Sequence, residues 1–142
     1  PQYFGEKAVV DRCIIGEGSE IYGEVKNSVI GAGVIIEEGA VVHDSIVMQG
    51  TVIGTGTTVD KAIIAESVQV GKDCRLGIGE FAPNVYNPKV YAFDLVTIAE
   101  KSVIPDHVQI GKNTAIVGET APEDYPDGLL ASGQVIIKAG EM

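Results

Sequence analysis

The sequence predicts an all-β protein, a single-stranded parallel β-helix in which the chain winds through stacked coils of hexapeptide repeats. Two observations on composition support this. Glycine accounts for 18 of the 142 residues, and aromatic residues are scarce at 6% with no tryptophan, so the apolar residues are mostly valine, isoleucine and alanine. β-Branched residues punctuated by glycine are typical of many short strands joined by tight turns. The third observation is a repeat, because the middle of the chain aligns with itself after a shift of 17 residues.

Bulky aliphatic residues recur at steps of six, six and five within each copy of the repeat. In one copy these anchors are Ile30, Ile36 and Val42. A six-residue step does not follow one face of an α-helix, so three hexads are assigned to one coil of triangular cross-section. Each anchor points inward, the small residue four positions later fits the corner, and glycine supports the turn. The copies are Ser28–Asp44, Ser45–Lys61 and Ala62–Ile78, with a shorter copy at Cys13–Asn27.

The repeat is interrupted at about residues 79–95. This segment contains Pro83, Pro88 and half of the eight Phe and Tyr residues. Disordered linkers seldom concentrate aromatic residues, so we predict an excursion from the β-helix rather than a linker. The six-residue step resumes at Ile98 and continues to Ile116. From about 118 to 142 we predict an acidic loop and then a strand or terminal cap, all within one domain that spans 1–142.

The charge of the chain argues against two classes of partner. Twenty acidic and ten basic residues give a net charge of −10, which repels nucleic acid and anionic membranes. No apolar run approaches the ~20 residues of a membrane span, and no segment has the pattern of a secretion signal. The two cysteines have neither a zinc spacing nor a disulfide framework. We therefore expect a cytoplasmic protein without a nucleic-acid or membrane partner.

The cysteine and histidine side chains are the first candidates for catalysis or metal binding. Cys74 falls in a column of small residues and Cys13 opens its repeat copy, so both are interpreted as packing residues. His43 and His107 are the only histidines, which argues against the three-histidine zinc site of β-helix carbonic anhydrases. Both histidines are expected at solvent-facing corners. Hexapeptide acyltransferases acting on coenzyme A substrates often use one histidine as a general base, and either residue stays open for that role.

The acidic and glycine-rich motifs predict no site. Adjacent carboxylates and the acidic C-terminal loop are interpreted as a solvated rim, since neighbouring strand positions point to opposite faces. The two Gly-x-Gly motifs neither extend to Gly-x-x-Gly nor open a long helix, so the nucleotide signal is weak. Only two arginines are available for an anion site. The residues concerned are Glu37, Glu38, Glu123, Asp124, Asp127, Gly54–Gly56, Gly77–Gly79, Arg12 and Arg75.

Several longer motifs carry a family resemblance. They are PQYFGEKAVV (Pro1–Val10), the segments Asn27–Gly54, Lys61–Gly71 and Ser102–Asn113, and the closing YPDGLLASGQVIIKAGE (Tyr125–Glu141). Together they resemble the C-terminal β-helix domain of bacterial glucose-1-phosphate adenylyltransferase, also called ADP-glucose pyrophosphorylase, over essentially the whole chain. The resemblance implies a left-handed β-helix, which is an exception to the right-handed crossover rule.

The resemblance also implies an activity for a parent enzyme. The parent joins ATP and glucose 1-phosphate into ADP-glucose and pyrophosphate for glycogen synthesis, and is expected to use Mg²⁺ with ATP. Its catalytic nucleotidyltransferase domain carries a glycine-rich nucleotide loop, a substrate lysine and Mg²⁺-binding acidic residues, and none of those motifs occurs in this sequence. We therefore expect that domain to be absent and this fragment to be inactive alone. No catalytic, cofactor-binding or metal residue is predicted, and the effector-binding residues are unknown.

The resemblance names partners as well. They are the chain's own catalytic domain and the other subunits of a homo- or hetero-tetramer, which makes this chain a regulatory and oligomerisation domain. Three alternatives stay open. The parent is a non-catalytic regulatory paralogue of the same enzyme; the chain is a stand-alone hexapeptide acyltransferase with His43 or His107 as base; or it is an interaction scaffold without a small-molecule ligand.

Overall fold

The computed structural model describes residues 1–138; residues 139–142, the end of the predicted terminal cap, lie outside the described residues. The described chain contains short β-strands and a 3-10 helix at Pro122–Asp124. In chain order the strands are β1 (Tyr3–Phe4), β2 (Val9–Asp11), β3 (Ile14–Ile15), β4 (Glu20–Ile21), β5 (Glu24–Lys26), β6 (Val29–Ile30), β7 (Ile35–Ile36), β8 (Val41–His43), β9 (Ile46–Val47), β10 (Val52–Ile53), β11 (Thr58–Asp60), β12 (Ala62–Ile64), β13 (Gln69–Val70), β14 (Arg75–Ile78), β15 (Val96–Ile98), β16 (Val103–Ile104), β17 (Gln109–Gly111), β18 (Thr114–Val117), β19 (Leu129–Leu130) and β20 (Val135–Ile137).

The strands form three parallel sheets, each of which receives one strand from every complete coil. Coil 1 consists of β1, β2 and β3, and the pattern continues to coil 6, while coil 7 contributes only β19 and β20. We call the sheets A, B and C in chain order; sheet A has six strands, and sheets B and C have seven each. This all-β stack of parallel coils confirms the predicted fold class and is consistent with a left-handed β-helix of hexapeptide repeats. Within residues 1–138, no helix is long and apolar enough to cross a membrane.

The register between coils follows the 17-residue period. Val42 pairs with Val59 in sheet B, and Ile36 pairs with Ile53 in sheet A. These side chains are fully buried. Each inward anchor therefore lies on the anchor of the next coil, and the core is a narrow aliphatic column along the axis. Burying one such side chain stabilises the fold by about 1.5–3 kcal/mol.

Buried hydroxyl groups link neighbouring coils at the corners. The Thr57 hydroxyl donates to the carbonyl of Gly71 at 2.6 Å and accepts the Cys74 backbone N–H at 3.1 Å, both in the next coil. Thr51 makes the same two bonds to Ala65 and Val68. The sequence predicted only that these positions are small. The structure adds that the hydroxyl satisfies two backbone groups, which in a buried corner have no water to bond.

The corner between sheets B and C differs from the predicted glycine turn. Arg12, Asn27, Asp44 and Lys61 stack there in successive coils, each with φ between 50° and 54°. The left-handed region is uncommon for residues other than glycine, although Asn and Asp visit it readily. The Asn27 amide donates to the Asp44 carboxylate at 2.8 Å. Polar side chains thus project from this corner in every one of the first four coils.

The C-terminal end of the stack is covered by the chain itself. The 3-10 helix and Tyr125 occupy the place of a seventh strand in sheet A, and Tyr125 is buried in the core cluster. Its hydroxyl shares a hydrogen bond of 2.8 Å with that of Thr120. The Lys138 ammonium donates to Asp124 at 2.6 Å; this bond lowers the pKa of the carboxyl and raises the pKa of the amine.

The corner hydroxyls give a first prediction. We expect Thr57→Val to lower the free energy of unfolding by about 1–3 kcal/mol, because the Cys74 N–H and the Gly71 carbonyl lose their partner at unchanged side-chain volume. The matched control is Thr58→Val, one residue on and exposed on the outer face of sheet B, which should change stability by no more than about 0.5 kcal/mol. Urea unfolding curves of the two variants measure the difference, and equal stabilities would contradict the role of the hydroxyl.

Tyr125 gives a second prediction. Burial raises its pKa to about 12 from the ordinary 10.0. The neutral phenol is thus favoured in the native state, and its contribution to stability is complete below pH 10 and lost as the pH rises toward about 12. We expect the free energy of unfolding to fall more steeply over this range in the wild type than in Tyr125→Phe, which keeps the ring but cannot ionise. Urea unfolding at a series of pH values measures this. If the free energy of unfolding falls equally with pH in both proteins, ionisation of Tyr125 does not affect stability.

Candidate functional site

The structure places the two cysteines as packing elements of the coil. Cys74 is fully buried, its Sγ lies 3.1 Å from the Pro105 carbonyl oxygen, and burial raises the pKa of its thiol. Cys13 is half-buried beside the core, with its Sγ 3.3 Å from the Val25 carbonyl oxygen. Both are free thiols. A raised thiol pKa disfavours the reactive thiolate, so Cys74 is poorly suited to nucleophilic chemistry.

The two histidines lie in different coils and on different parts of the surface. His43 ends strand β8 and is not in a corner turn, contrary to expectation; its Nε2 lies 2.6 Å from Oε2 of Glu24. His107 does lie in a turn, between sheets A and B, with a φ of 64° and its ring 4.0 Å from Asp73. His43 with Glu24 forms an imidazole–carboxylate pair that can orient a ring for proton transfer. The structure does not bring the two histidines together.

Acidic residues are spread over corners and are not gathered into one cluster. Glu38 pairs with Lys7 at 3.2 Å, and Asp124 pairs with Lys138. Within residues 1–138, no group of three or more His, Cys, Asp and Glu side chains is arranged to hold a metal ion. The two arginines, Arg12 in coil 1 and Arg75 in coil 5, lie far apart along the axis.

The glycines of the Gly-x-Gly motif at 54–56 have a structural role. A Cβ on Gly54 would collide with the backbone of Gly71 in the next coil, and Gly56 has a φ of 73°. Gly54 is required because the next corner stacks closely on it. Gly56 is required because a side chain is strained at its positive φ. The motif therefore forms a turn of the repeat.

Two adjoining grooves of about 220 and 370 Å³ lie at the corner between sheets A and B near the N-terminus. Lys7, Tyr22 and Glu38 line both, and the larger also contains Glu24. The Tyr22 ring lies 5.7 Å from that of Tyr3, and its hydroxyl donates to the Glu20 carboxylate at 2.6 Å, which raises the pKa of the phenol. Carboxylates outnumber the single lysine, so these grooves favour cations over phosphorylated ligands.

The N-terminal end of the stack is open. We define the N-terminal end face by Phe4, Val10 and Ile15, the core-lining residues of coil 1. Phe4 is 49% and Val10 39% exposed, whereas Ile21 and Val25, on which they stack in coil 2, are fully buried. The end face is an apolar surface with the shape of a coil cross-section. In the sequence these residues look like any other anchors.

The segment between β14 and β15 presents a second apolar surface. It runs along the corner between sheets B and C, where the Val85 N–H donates to the Gly133 carbonyl at 2.8 Å. Buried Asn84 fixes it: its amide donates to the Asn113 carbonyl, and its side-chain oxygen accepts the N–H groups of Tyr86 and Asn87. Nothing in the sequence singled out Asn84 or Asn113. The exposed large apolar residues of the segment are Phe81, Val85, Tyr86, Val90 and Phe93.

Comparison with known proteins places the chain among hexapeptide-repeat proteins. A family model described as GlmU-like, C-terminal hexapeptide, matches residues 3–84. The glucose-1-phosphate adenylyltransferase of Lachnospira eligens is 56% identical over 141 residues, which is 99% of this chain and 33% of that enzyme. The glucose-1-phosphate adenylyltransferase of Acetivibrio thermocellus is 44% identical over 98% of this chain and 33% of its own length.

Among solved structures, the acetyltransferase domain of PglB from Neisseria gonorrhoeae superimposes with a TM-score of 0.56. The superposition covers 93% of this chain and 55% of that domain at 20% sequence identity, so the similarity concerns the fold alone. The chain spans about a third of the length of the two adenylyltransferases.

Asn84 gives a third prediction. We expect Asn84→Ala to raise the rate of tryptic cleavage after the exposed Lys89 by about tenfold, because lost hydrogen bonds worth about 1–3 kcal/mol favour local opening of the segment. The coils should keep their circular dichroism. Asn87→Ala is the matched control, since among the described residues that side chain makes no hydrogen bond. Mass spectrometry of a time course measures the rates, and equal rates would contradict the anchoring role.

Proposed function

Because this chain belongs to the GlmU-like, C-terminal hexapeptide family, we propose that it is the regulatory and oligomerisation domain of a glucose-1-phosphate adenylyltransferase. The observation that carries the proposal is the identity of 56% along 99% of the chain to a third of one such enzyme. Hexapeptide coils alone are shared by enzymes of different activity, but an alignment of this extent includes the non-repeat segment and the C-terminal turn. The parent enzyme then makes ADP-glucose and pyrophosphate from ATP and glucose 1-phosphate, using Mg²⁺, in the cytoplasm.

The shape of the chain supports a role in assembly. A stack of coils is rigid, because coils 1 to 6 are hydrogen-bonded to one another along all three sheets. Its C-terminal end is covered by Tyr125 and the 3-10 helix, whereas the N-terminal end face exposes Phe4 and Val10. Open ends of a solenoid require a cap to keep their apolar surface from water. We assign the end face to the catalytic domain of the same parent chain.

This domain regulates the activity of the parent enzyme through its contacts with the partner domains and subunits. Sugar phosphates and nucleotides are anions, and the grooves near the N-terminus carry one lysine among several carboxylates. An effector that binds the parent therefore needs basic residues from a partner surface in addition to those of this chain. The rigid stack then transmits the position of one partner to another.

A second candidate function is acyl transfer from a coenzyme A thioester. One observation favours it: His43 Nε2 lies 2.6 Å from Glu24, as a general base held by a carboxylate requires. In this mechanism the imidazole takes the proton of the acceptor amine or hydroxyl as it attacks the thioester carbonyl, and the thiolate of coenzyme A leaves. His107 is less suited, because its ring is 4.0 Å from Asp73 and largely exposed.

A chimera gives the fourth prediction. We expect the Lachnospira eligens enzyme to keep ADP-glucose synthesis and its assembly mass when this chain replaces the matching third, because the contacting surfaces are retained at 56% identity. The control chimera carries the PglB acetyltransferase domain, which has the same fold at 20% identity, and should lose the assembly. Pyrophosphate release and light scattering measure activity and mass. A first chimera that is unassembled and inactive contradicts the proposal.

The isolated chain completes this test. It should release no pyrophosphate from ATP and glucose 1-phosphate, with or without Mg²⁺. Turnover of acetyl-coenzyme A that disappears in His43→Ala would instead support acyl transfer. Thermal shift with fructose 1,6-bisphosphate, AMP and acetyl-coenzyme A reports which ligand binds the native chain, since native-state binding raises apparent stability.

A further inference from the structure

The chain turns sharply at residues 125–128, between the 3-10 helix and strand β19. The Gly128 N–H donates to the Tyr125 carbonyl at 3.1 Å, so Pro126 and Asp127 are the two central residues of the turn. Proline is favoured at the first central position and glycine at the last position of such turns, and Gly128 has a φ of 65°. Asp127 is exposed at the tip, so the turn presents its carboxylate to water.

The Asp127 carboxylate is not held by a neighbouring group. The nearby Asp124 accepts hydrogen bonds from the Ala121 N–H at 2.8 Å and from the Lys138 ammonium at 2.6 Å. Within residues 1–138, no hydrogen bond or ion pair fixes the Asp127 side chain in the same way. Its side chain can therefore change rotamer and approach the backbone that follows it.

The backbone nitrogen of Gly128 is accessible to that side chain. Asp127 is the one Asp or Asn residue of the chain that precedes a glycine, and glycine has no Cβ to obstruct an approach to its nitrogen. Apart from its chain neighbours, a Cβ added at Gly128 would lie within 4 Å only of the His107 carbonyl oxygen, at 3.9 Å. The Gly128 N–H is bonded to the turn itself, and this bond is lost whenever the exposed turn opens locally.

Asp44, which precedes the small residue Ser45, lacks this freedom. Its carboxylate accepts a hydrogen bond from the Asn27 amide at 2.8 Å. The Ser45 N–H donates to the Ser28 hydroxyl of the preceding coil at 3.1 Å, and Ser45 is buried. Stacked coils thus hold both the carboxylate and the nitrogen at this position, whereas Asp127 precedes β19, the end strand of sheet B.

We propose that the Asp127–Gly128 linkage is a covalent modification site, at which aspartate converts to isoaspartate through a cyclic imide. The inference goes beyond the proposed function and does not depend on it, because the reaction needs only this chain and water. It assigns to the turn a change of main-chain connectivity that accumulates with the age of the protein.

The reaction has two steps. In the first, the Gly128 nitrogen attacks Cγ of the neutral Asp127 carboxyl; a bond forms between these atoms, and the carboxyl hydroxyl leaves with the amide proton as water. In the second, water adds to one of the two imide carbonyls, and the bond from that carbonyl to nitrogen breaks. Cleavage at Cγ restores aspartate, whereas cleavage at the α-carbonyl leaves the main chain running through Cγ. One water is lost and one is gained.

Isoaspartate at this position weakens the cover at the C-terminal end of the stack. The conversion adds one atom to the main chain between Tyr125 and Gly128. Both ends of this span are fixed, because Tyr125 is buried in the core cluster and the Gly128 carbonyl accepts the Gln109 N–H at 2.8 Å. A longer connection displaces one of these contacts, so the modified chain is less stable at this end.

Peptide mapping of the aged chain tests the proposal. After about four weeks at about 37 °C, the tryptic peptide 113–138 from the folded chain should contain about tenfold more isoaspartate at position 127 than at Asp124, because Asp124 precedes the bulky Tyr125. Electron-transfer dissociation distinguishes aspartate from isoaspartate at each position. The matched control is Asp127→Glu, which keeps the carboxylate but must close a larger ring, and should gain no isomer there.

The isolated peptide 113–138, incubated in the same way, supplies the reference for an unprotected turn. A folded chain that stays unmodified at 127 while this peptide isomerises overturns the proposal, and so do equal amounts of isoaspartate at 124 and 127. Aged wild type should also unfold at a lower urea concentration than fresh wild type, whereas aged Asp127→Glu should not. Equal midpoints for aged and fresh wild type contradict the effect on the C-terminal cover. These measurements do not involve ADP-glucose synthesis, so this site and the proposed function can fail separately.

Discussion

Every other feature of this molecule depends on the in-register stacking of one coil on the next. A coil of two- and three-residue strands cannot bury its own aliphatic side chains, and only the neighbouring coil supplies the apolar contact and the backbone partners. Stacking at one repeat of 17 residues places Val42 on Val59 and Ile36 on Ile53. The triangular core is narrow, so it admits isoleucine and valine. Aromatic residues occur outside this core, as Phe81 in the segment between β14 and β15 and Tyr22 on an outer corner illustrate.

The same constraint determines where function can be located. Inward positions are occupied by anchors, and corners by hydroxyls such as Thr57 that satisfy the backbone of the next coil. Specific chemistry is therefore confined to the two ends, the outer faces and the segment that leaves the stack. In this chain the ends are unequal, since Tyr125 covers one and Phe4 is exposed at the other.

The coil fold by itself does not choose among functions. At 20% identity, the acetyltransferase domain of PglB shares these coils, because the stacking constraint acts only on inward and corner positions. What differs between such proteins is the outer surface. Here it places His43 beside Glu24. The family assignment therefore rests on the hexapeptide model that matches residues 3–84, and the exposed surfaces are read from the structure.

The sequence alone determined the fold class, because a period of 17 with anchors such as Ile30 and Ile36 indicates stacked three-sided coils. The spacing did not determine the hand of the β-helix. The sequence also determined that small residues such as Thr51 and Thr57 occupy corners, although the corner between sheets B and C holds longer polar residues such as Arg12 and Lys61. It could not reveal that Asn84 holds the excursion through Asn113, since that contact joins residues 29 apart outside the repeat. His43 was misplaced at a corner for a related reason: strand ends depend on how neighbouring coils pair, not on the period. Only the tertiary structure decided which anchors are exposed, because exposure depends on what is stacked beyond them.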